Sequence, residues 1–198
     1  MNSKNETRGL WLGLLGVAIF AITLPMTRLA TGTADAPQLS PWFVTLGRAA
    51  LAGGLSIAFL LATRSRWPTA AEWRPLSIAT LGNALGFPLL IGYALLTISA
   101  SHAAVIIALL PLATAVVAAI VMHQRARLGF WLSACIGAAL VVGFSLYRAT
   151  QHGPGLALEW GDVLMLGAVV SAALGYVYGA KVTPTLGAEQ VICWVCVL

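Results

Sequence analysis

Apolar runs of about twenty residues recur six times along this chain, each long enough to cross the ~30 Å hydrocarbon core of a bilayer at ~1.5 Å rise per residue. They cover 10–29, 42–62, 76–98, 103–122, 128–147 and 163–180, and a seventh begins near Val191 and is cut off at Leu198. Lipid offers no hydrogen bonds to an exposed backbone, so such runs must be helices. The expected fold is an all-α integral membrane protein, a polytopic helix bundle. The connecting stretches 31–41, 63–75, 99–102, 123–127 and 148–162 leave no room for a soluble domain.

Hydrophobic residues make up 60% and charged residues 9% of the chain, against roughly 45–50% and 25% in soluble domains. The net charge of +5 reports topology rather than a nucleic-acid surface, because the basic residues collect in short loops. With the N-terminus inside, Lys4, Arg8, Arg64, Arg66, Arg74, Arg125, Arg127 and Lys181 fall on the cytoplasmic side, and Arg148 falls outside. This asymmetry orients the chain with a cytoplasmic N-terminus in an inner (plasma) membrane. Ala34-Asp35-Ala36 faintly resembles a signal-peptide cleavage site, yet the preceding run is longer than an ordinary h-region and carries Arg28. It reads as a span. The segment 67–75 pairs tryptophans with charges, as an interfacial elbow at headgroup depth would.

A weak internal repeat emerges when the stretch from Gly161 is laid on the stretch from Gly9 at an offset near 152: Gly16 falls close to Gly167, Arg28 close to Lys181, and Trp42 opposite Trp194. Five spans lie between the two starts, and an odd number makes the second copy enter from the opposite side. That is an inverted-topology repeat, the plan of secondary transporters with a site between halves. The domains are therefore 1–150, a five-helix repeat, and 151–198, the loop and opening of the second. Cys135, Cys193 and Cys196 all lie in apolar runs. Cys193-Trp194-Val195-Cys196 lacks the second ligand pair that a metal or redox site would use, so packing is the simpler role.

Particular runs of residues also resemble a known family. Ala94 to Val105, followed by Leu109-Leu110-Pro111-Leu112-Ala113-Thr114-Ala115, resembles the third and fourth spans of EamA-type transporters of the drug/metabolite transporter superfamily. Leu24-Pro25-Met26-Thr27-Arg28-Leu29-Ala30 and Pro41 to Arg48 resemble the family's first span and the start of its second. The resemblance implies ten helices as five plus five in inverted repeat, cytoplasmic termini, and movement of small metabolites. Members commonly carry a Gly-Glu-Arg-like turn after the fourth span, where this chain has Met122-His123-Gln124-Arg125. Against the ten-helix plan the chain ends inside the seventh span.

Arg48 lies about seven residues into the second span, ~10 Å from its end. A guanidinium at that depth needs a partner, a wet cavity or a snorkelling route. It either faces the cavity and meets a substrate carboxylate or phosphate, or it snorkels to the interface. Arg28, at the outer end of the first span, is more simply a snorkelling residue, but it shares a helix face with Thr23 and Thr27 that can line the bundle interior. Pro25, Pro88 and Pro111 interrupt the first, third and fourth spans and are candidate helix kinks around a cavity, each removing a backbone donor. Asn83 lies between Gly82 and Gly86 and suits a bond across a close helix contact. Tyr93 is a further candidate substrate contact. His102 caps the fourth helix with Ser101 or relays protons. Gly82-x-x-x-Gly86 and Gly175-x-x-x-Gly179 are packing devices.

All six acids, Glu6, Asp35, Glu72, Glu159, Asp162 and Glu189, fall in loops or at span ends. The embedded carboxylate on which small multidrug pumps depend is therefore missing. Clustered nucleophile or metal-ligand spacing and a phosphate-cradling glycine loop are likewise not found, so the chain reads as no enzyme, with no metal and no cofactor. The expected function is a secondary transporter of small metabolites, amino-acid-like or other small organic solutes, working by alternating access. The competing reading is a truncated, non-transporting membrane fragment. Partners are the lipid bilayer and the small-molecule substrate, with a second copy or another integral protein as the remaining possibility.

Overall fold

The computed structural model describes residues 3–123, 128–151 and 160–198, without the side chains of 3–6, 8, 141, 142 and 144–151. Gln124, Arg125 and Arg127, the segment 152–159 with Glu159, and the side chains of Lys4, Glu6, Arg8 and Arg148 lie outside that description. The elements are α1 (Ser3–Ala21), α2 (Thr23–Thr31), α3 (Pro41–Ala62), α4 (Ala70–Ala79), a π-helical segment (Thr80–Gly86), α5 (Phe87–Thr97), α6 (Ala100–Ile107), α7 (Leu110–Val121), α8 (Leu128–Gln151), α9 (Trp160–Leu186) and α10 (Ala188–Val197). Among the described residues, five stretches are long and apolar enough to cross a bilayer: Gly9–Thr31, Pro41–Ala62, Ala70–Thr97, Ala100–Val121 and Trp160–Leu186. The protein is an all-α, multi-pass membrane protein.

Three of these spans each run as one helix but carry a break in the regular bonding pattern. The first breaks at Ile22, between α1 and α2; the third passes through the π segment; the fourth breaks at Ala108 and Leu109. The third span also starts at Ala70, six residues before the expected Leu76, so the tryptophan-rich segment is partly helix rather than an elbow. Its start is fixed by Glu72, whose Oε2 accepts the Thr69 N–H at 2.8 Å and satisfies an otherwise orphaned donor. Ser40 performs the same service for α3, accepting from Phe43 N at 3.2 Å ahead of Pro41. At α6 the cap is Ser99, accepting from His102 N at 3.2 Å, and not Ser101 as the sequence suggested.

Helix α9 is the spine of the bundle, packing against α4, the π segment, α5, α6, α7 and α10. Two buried clusters lie along it. One joins Phe87, Ile91 and Leu95 to Met165 and Val169; the other joins Leu60 and Leu76 to Val182, Leu186 and Trp194. Between lipid-immersed helices apolar burial gives little driving force, so small residues that admit close approach decide the crossings. A Cβ on Gly82 would stand 2.6 Å from the Ser171 carbonyl oxygen and 2.9 Å from Gly175 Cα. One on Gly53 would stand 2.9 Å from the Cys196 carbonyl oxygen, which sets how closely α3 and α10 meet.

The first span runs toward the end of the bundle that holds Arg28 and Ile98, whereas α9 starts there, with Gly161 seated against Thr97 and Ile98. The first span and α9 therefore run antiparallel. At the opposite end lie Arg64, Arg66 and the start of α4, together with the end of α9.

Candidate functional site

The breaks in the first and fourth spans face one another across a cleft of about 230 Å³, lined by α1, α2, α5 and α6. Pro25 has no N–H to give the Ala21 carbonyl, and Pro111 has none to give the Ile107 carbonyl, because each proline removes the donor four residues on. Ala21 and Ile107 both line the cleft. Two helices are thus weakened where they border the same space, and each carries there a carbonyl deprived of its usual partner. Pro88 lies second in α5, directly after the π segment and beside the cleft residue Phe87.

The lining is otherwise apolar, with Thr23 its one polar side chain. Phe20 and Phe87 stack nearly parallel, their centroids 6.2 Å apart at an interplanar angle of 11°. An offset aromatic pair of this kind closes one wall and joins the first span to the third. The arrangement can hold a small apolar or aromatic body, and the surface it offers that body is almost wholly apolar. Acid–base or nucleophilic chemistry has no group here to carry it.

The other expected site residues are dispersed. Thr27 is buried one turn below Thr23, and its carbonyl accepts from Thr31 Oγ1 at 2.9 Å. Arg28 donates from Nη1 to the Ile98 carbonyl at 3.2 Å, capping the end of α5 instead of reaching into the cleft. Asn83 lies in the π segment with its amide against Gly175. Tyr93 is 37% exposed on α5. Arg48 is exposed at the flank of the α3 face that buries Thr45, Gly53 and Ser56, and it makes no hydrogen bond or ion pair among the described residues.

Two polar ties were not anticipated. At one end of the bundle His102 Nε2 lies 2.7 Å from Asp162 Oδ1, joining the starts of α6 and α9. At the other, Arg66 grips Glu72 through both nitrogens at 2.9 and 2.7 Å, and Thr185 Oγ1 donates to Glu72 Oε1 at 2.7 Å. Arg66 Nη2 also reaches the Thr185 carbonyl at 3.1 Å. The bond to Glu72 pushes the Arg66 guanidinium above its usual range. The Thr69-x-x-Glu72 spacing carried a legible capping-box signal; nothing in the sequence joined it to Thr185.

Comparisons with known proteins agree with this architecture. Residues 7–146 match the sequence model described as the EamA-like transporter family. YdeK of Bacillus subtilis (strain 168), named as an uncharacterized transporter, is 40% identical over 195 residues, which is 98% of this chain and 64% of that protein. The chain therefore spans just under two thirds of that relative's length. No solved structure matches.

Proposed function

The chain belongs to the EamA-like transporter family, and from that premise we propose that it moves small organic solutes, amino-acid-like or similar metabolites, across the inner membrane by alternating access. The observation that carries the reading is the cleft where two proline-broken spans meet. Broken helices at membrane depth are tolerated where they are buried in protein or line a cavity, because freed carbonyls need a partner there. The apolar body of the solute packs against the Phe20–Phe87 wall and Ile91, beside Thr23.

The antiparallel course of the first span and α9 supports an inverted repeat, with 1–150 as the first copy and 151–198 as the opening of the second. On this reading the N-terminus and the Arg66 end face the cytoplasm, and the Arg28 end faces out. The test is uptake of a pool of radiolabelled amino acids into membrane vesicles carrying the protein. Saturable uptake that falls when Thr23→Val or Phe20→Ala is introduced supports the assignment. Uptake equal to that of empty vesicles, from protein shown to be inserted, would favour the non-transporting fragment instead.

A further inference from the structure

The two ties hold opposite ends of one helix. Asp162 lies in the first turn of α9 and Thr185 in its last, with Ser171 between them. Helical rise places Ser171 ~13 Å from Asp162 and ~21 Å from Thr185. Around Ser171 the helix lies in close contact with its neighbour: Ser171 Oγ donates to the Gly82 carbonyl at 3.0 Å, and Gly82, Gly86 and Gly175 leave no room for a side chain between α9 and the π segment. A π segment carries looser, i→i+5 bonding and tolerates local rearrangement that a regular helix resists.

We propose that α9 is a lever pivoting on the Gly82–Ser171–Gly175 contact, with His102–Asp162 as the outer gate and Arg66–Glu72–Thr185 as the inner gate. The proposal rests on the alternating-access reading above and names the groups that enforce it. The helix carries Pro184 only in its last turn, and the stretch before it, rocking about Ser171, separates one end from the bundle as it presses the other in. Each gate must therefore break for its own side to open. Both ties are built for reversible rupture, because one partner of each stays in contact with water: the side chains of His102 and Arg66 are 54% and 44% exposed, while those of Asp162 and Glu72 are 12% and 10% exposed. When a gate opens, water replaces the lost partner at modest cost. The acid of the outer gate also sits at the N-terminal end of α9, where the helix dipole favours it.

The experiment weakens each gate at its exposed partner, with His102→Gln and Arg66→Gln, so that packing is untouched. Reporters are Ile98→Cys at the outer end and Leu186→Cys at the inner end, each 5% exposed in this closed arrangement. A membrane-impermeant maleimide is added from the matching side, and the otherwise unaltered protein with its own cysteines serves as the blank. Arg66→Gln is expected to raise the labelling rate at the inner reporter and lower it at the outer one, and His102→Gln to do the reverse, each by about two- to fivefold. A rise at both reporters in either variant means general loosening and overturns the lever, as does no change at either. Labelling needs no substrate, so it is read independently of flux. Opposite shifts without amino-acid uptake leave the lever standing and remove the transport assignment; uptake without the shifts does the opposite.

Discussion

Gly175 and Gly179 lie one turn apart on α9 and have very different amounts of room. A Cβ on Gly175 would stand 2.5 Å from Asn83 Cγ, whereas one on Gly179 would meet nothing closer than Val191 Cγ1 at 3.7 Å. Gly175→Ala should destabilise the protein by ~1–3 kcal/mol through overpacking, and Gly179→Ala should be neutral or slightly stabilising. Thermal unfolding in detergent of the two variants side by side checks this; equal midpoints would mean that Asn83 does not pack on Gly175. The sequence showed both as one small-residue motif, because spacing reveals a face but not what stands opposite it. Arg48 is the converse case. Its depth was legible, its partner was not, and it is exposed on α3. If it reads a solute carboxylate, Arg48→Gln should abolish uptake of acidic and zwitterionic amino acids and Arg48→Lys should restore part of it, since lysine keeps the charge without the planar fork. Equal uptake by all three proteins would leave snorkelling as its role.

At the scale of the element, five of the six expected spans followed directly from hydropathy, that at 128–147 lying partly outside the described side chains, while the internal breaks did not. Pro25, Pro88 and Pro111 announced weak points, but a proline removes one hydrogen bond without saying which way the helix yields or what lies beside it. That is decided by packing across 60 or more residues of sequence, as between Ile91 and Ile107 on one side of the cleft and Thr23 on the other. The same reasoning explains why the helix-capping role of Arg28 was invisible: its acceptor, the Ile98 carbonyl, is 70 residues away and carries no side-chain signature. Restoring the donor tests the value of the break. Pro25→Ala gives residue 25 an N–H for the Ala21 carbonyl, so α1 and α2 should merge into a straighter helix and the thermal midpoint should rise. Uptake should fall by roughly ten- to a hundredfold as the cleft loses its shape. A variant that is stabilised and fully active would show that the break serves packing alone.

For the molecule as a whole, packing sets how the helices run relative to one another, and charge is left to set which end meets the cytoplasm. Among the described residues, Arg64, Arg66, Arg74 and Lys181 gather at the end where α4 starts and α9 finishes, while Arg28 lies at the other. The positive-inside rule puts the first group in the cytoplasm. Packing then fixes the course of α9 relative to the preceding helices, since it is held to them at both ends and in its middle and cannot run the other way without giving up all three contacts. Alkaline phosphatase, active only outside the cytoplasm, should therefore be active when fused after Leu39 and silent when fused after Ser65. Arg64→Gln with Arg74→Gln should produce activity at both sites if these charges set the orientation, and an unchanged pattern would leave that role to the other basic residues. Activity at both sites in the unaltered protein would mean that copies insert in both directions. Two such copies could pair head to tail and rebuild a cavity between them, and the half-size dimer would then displace the single-orientation bundle as the working unit.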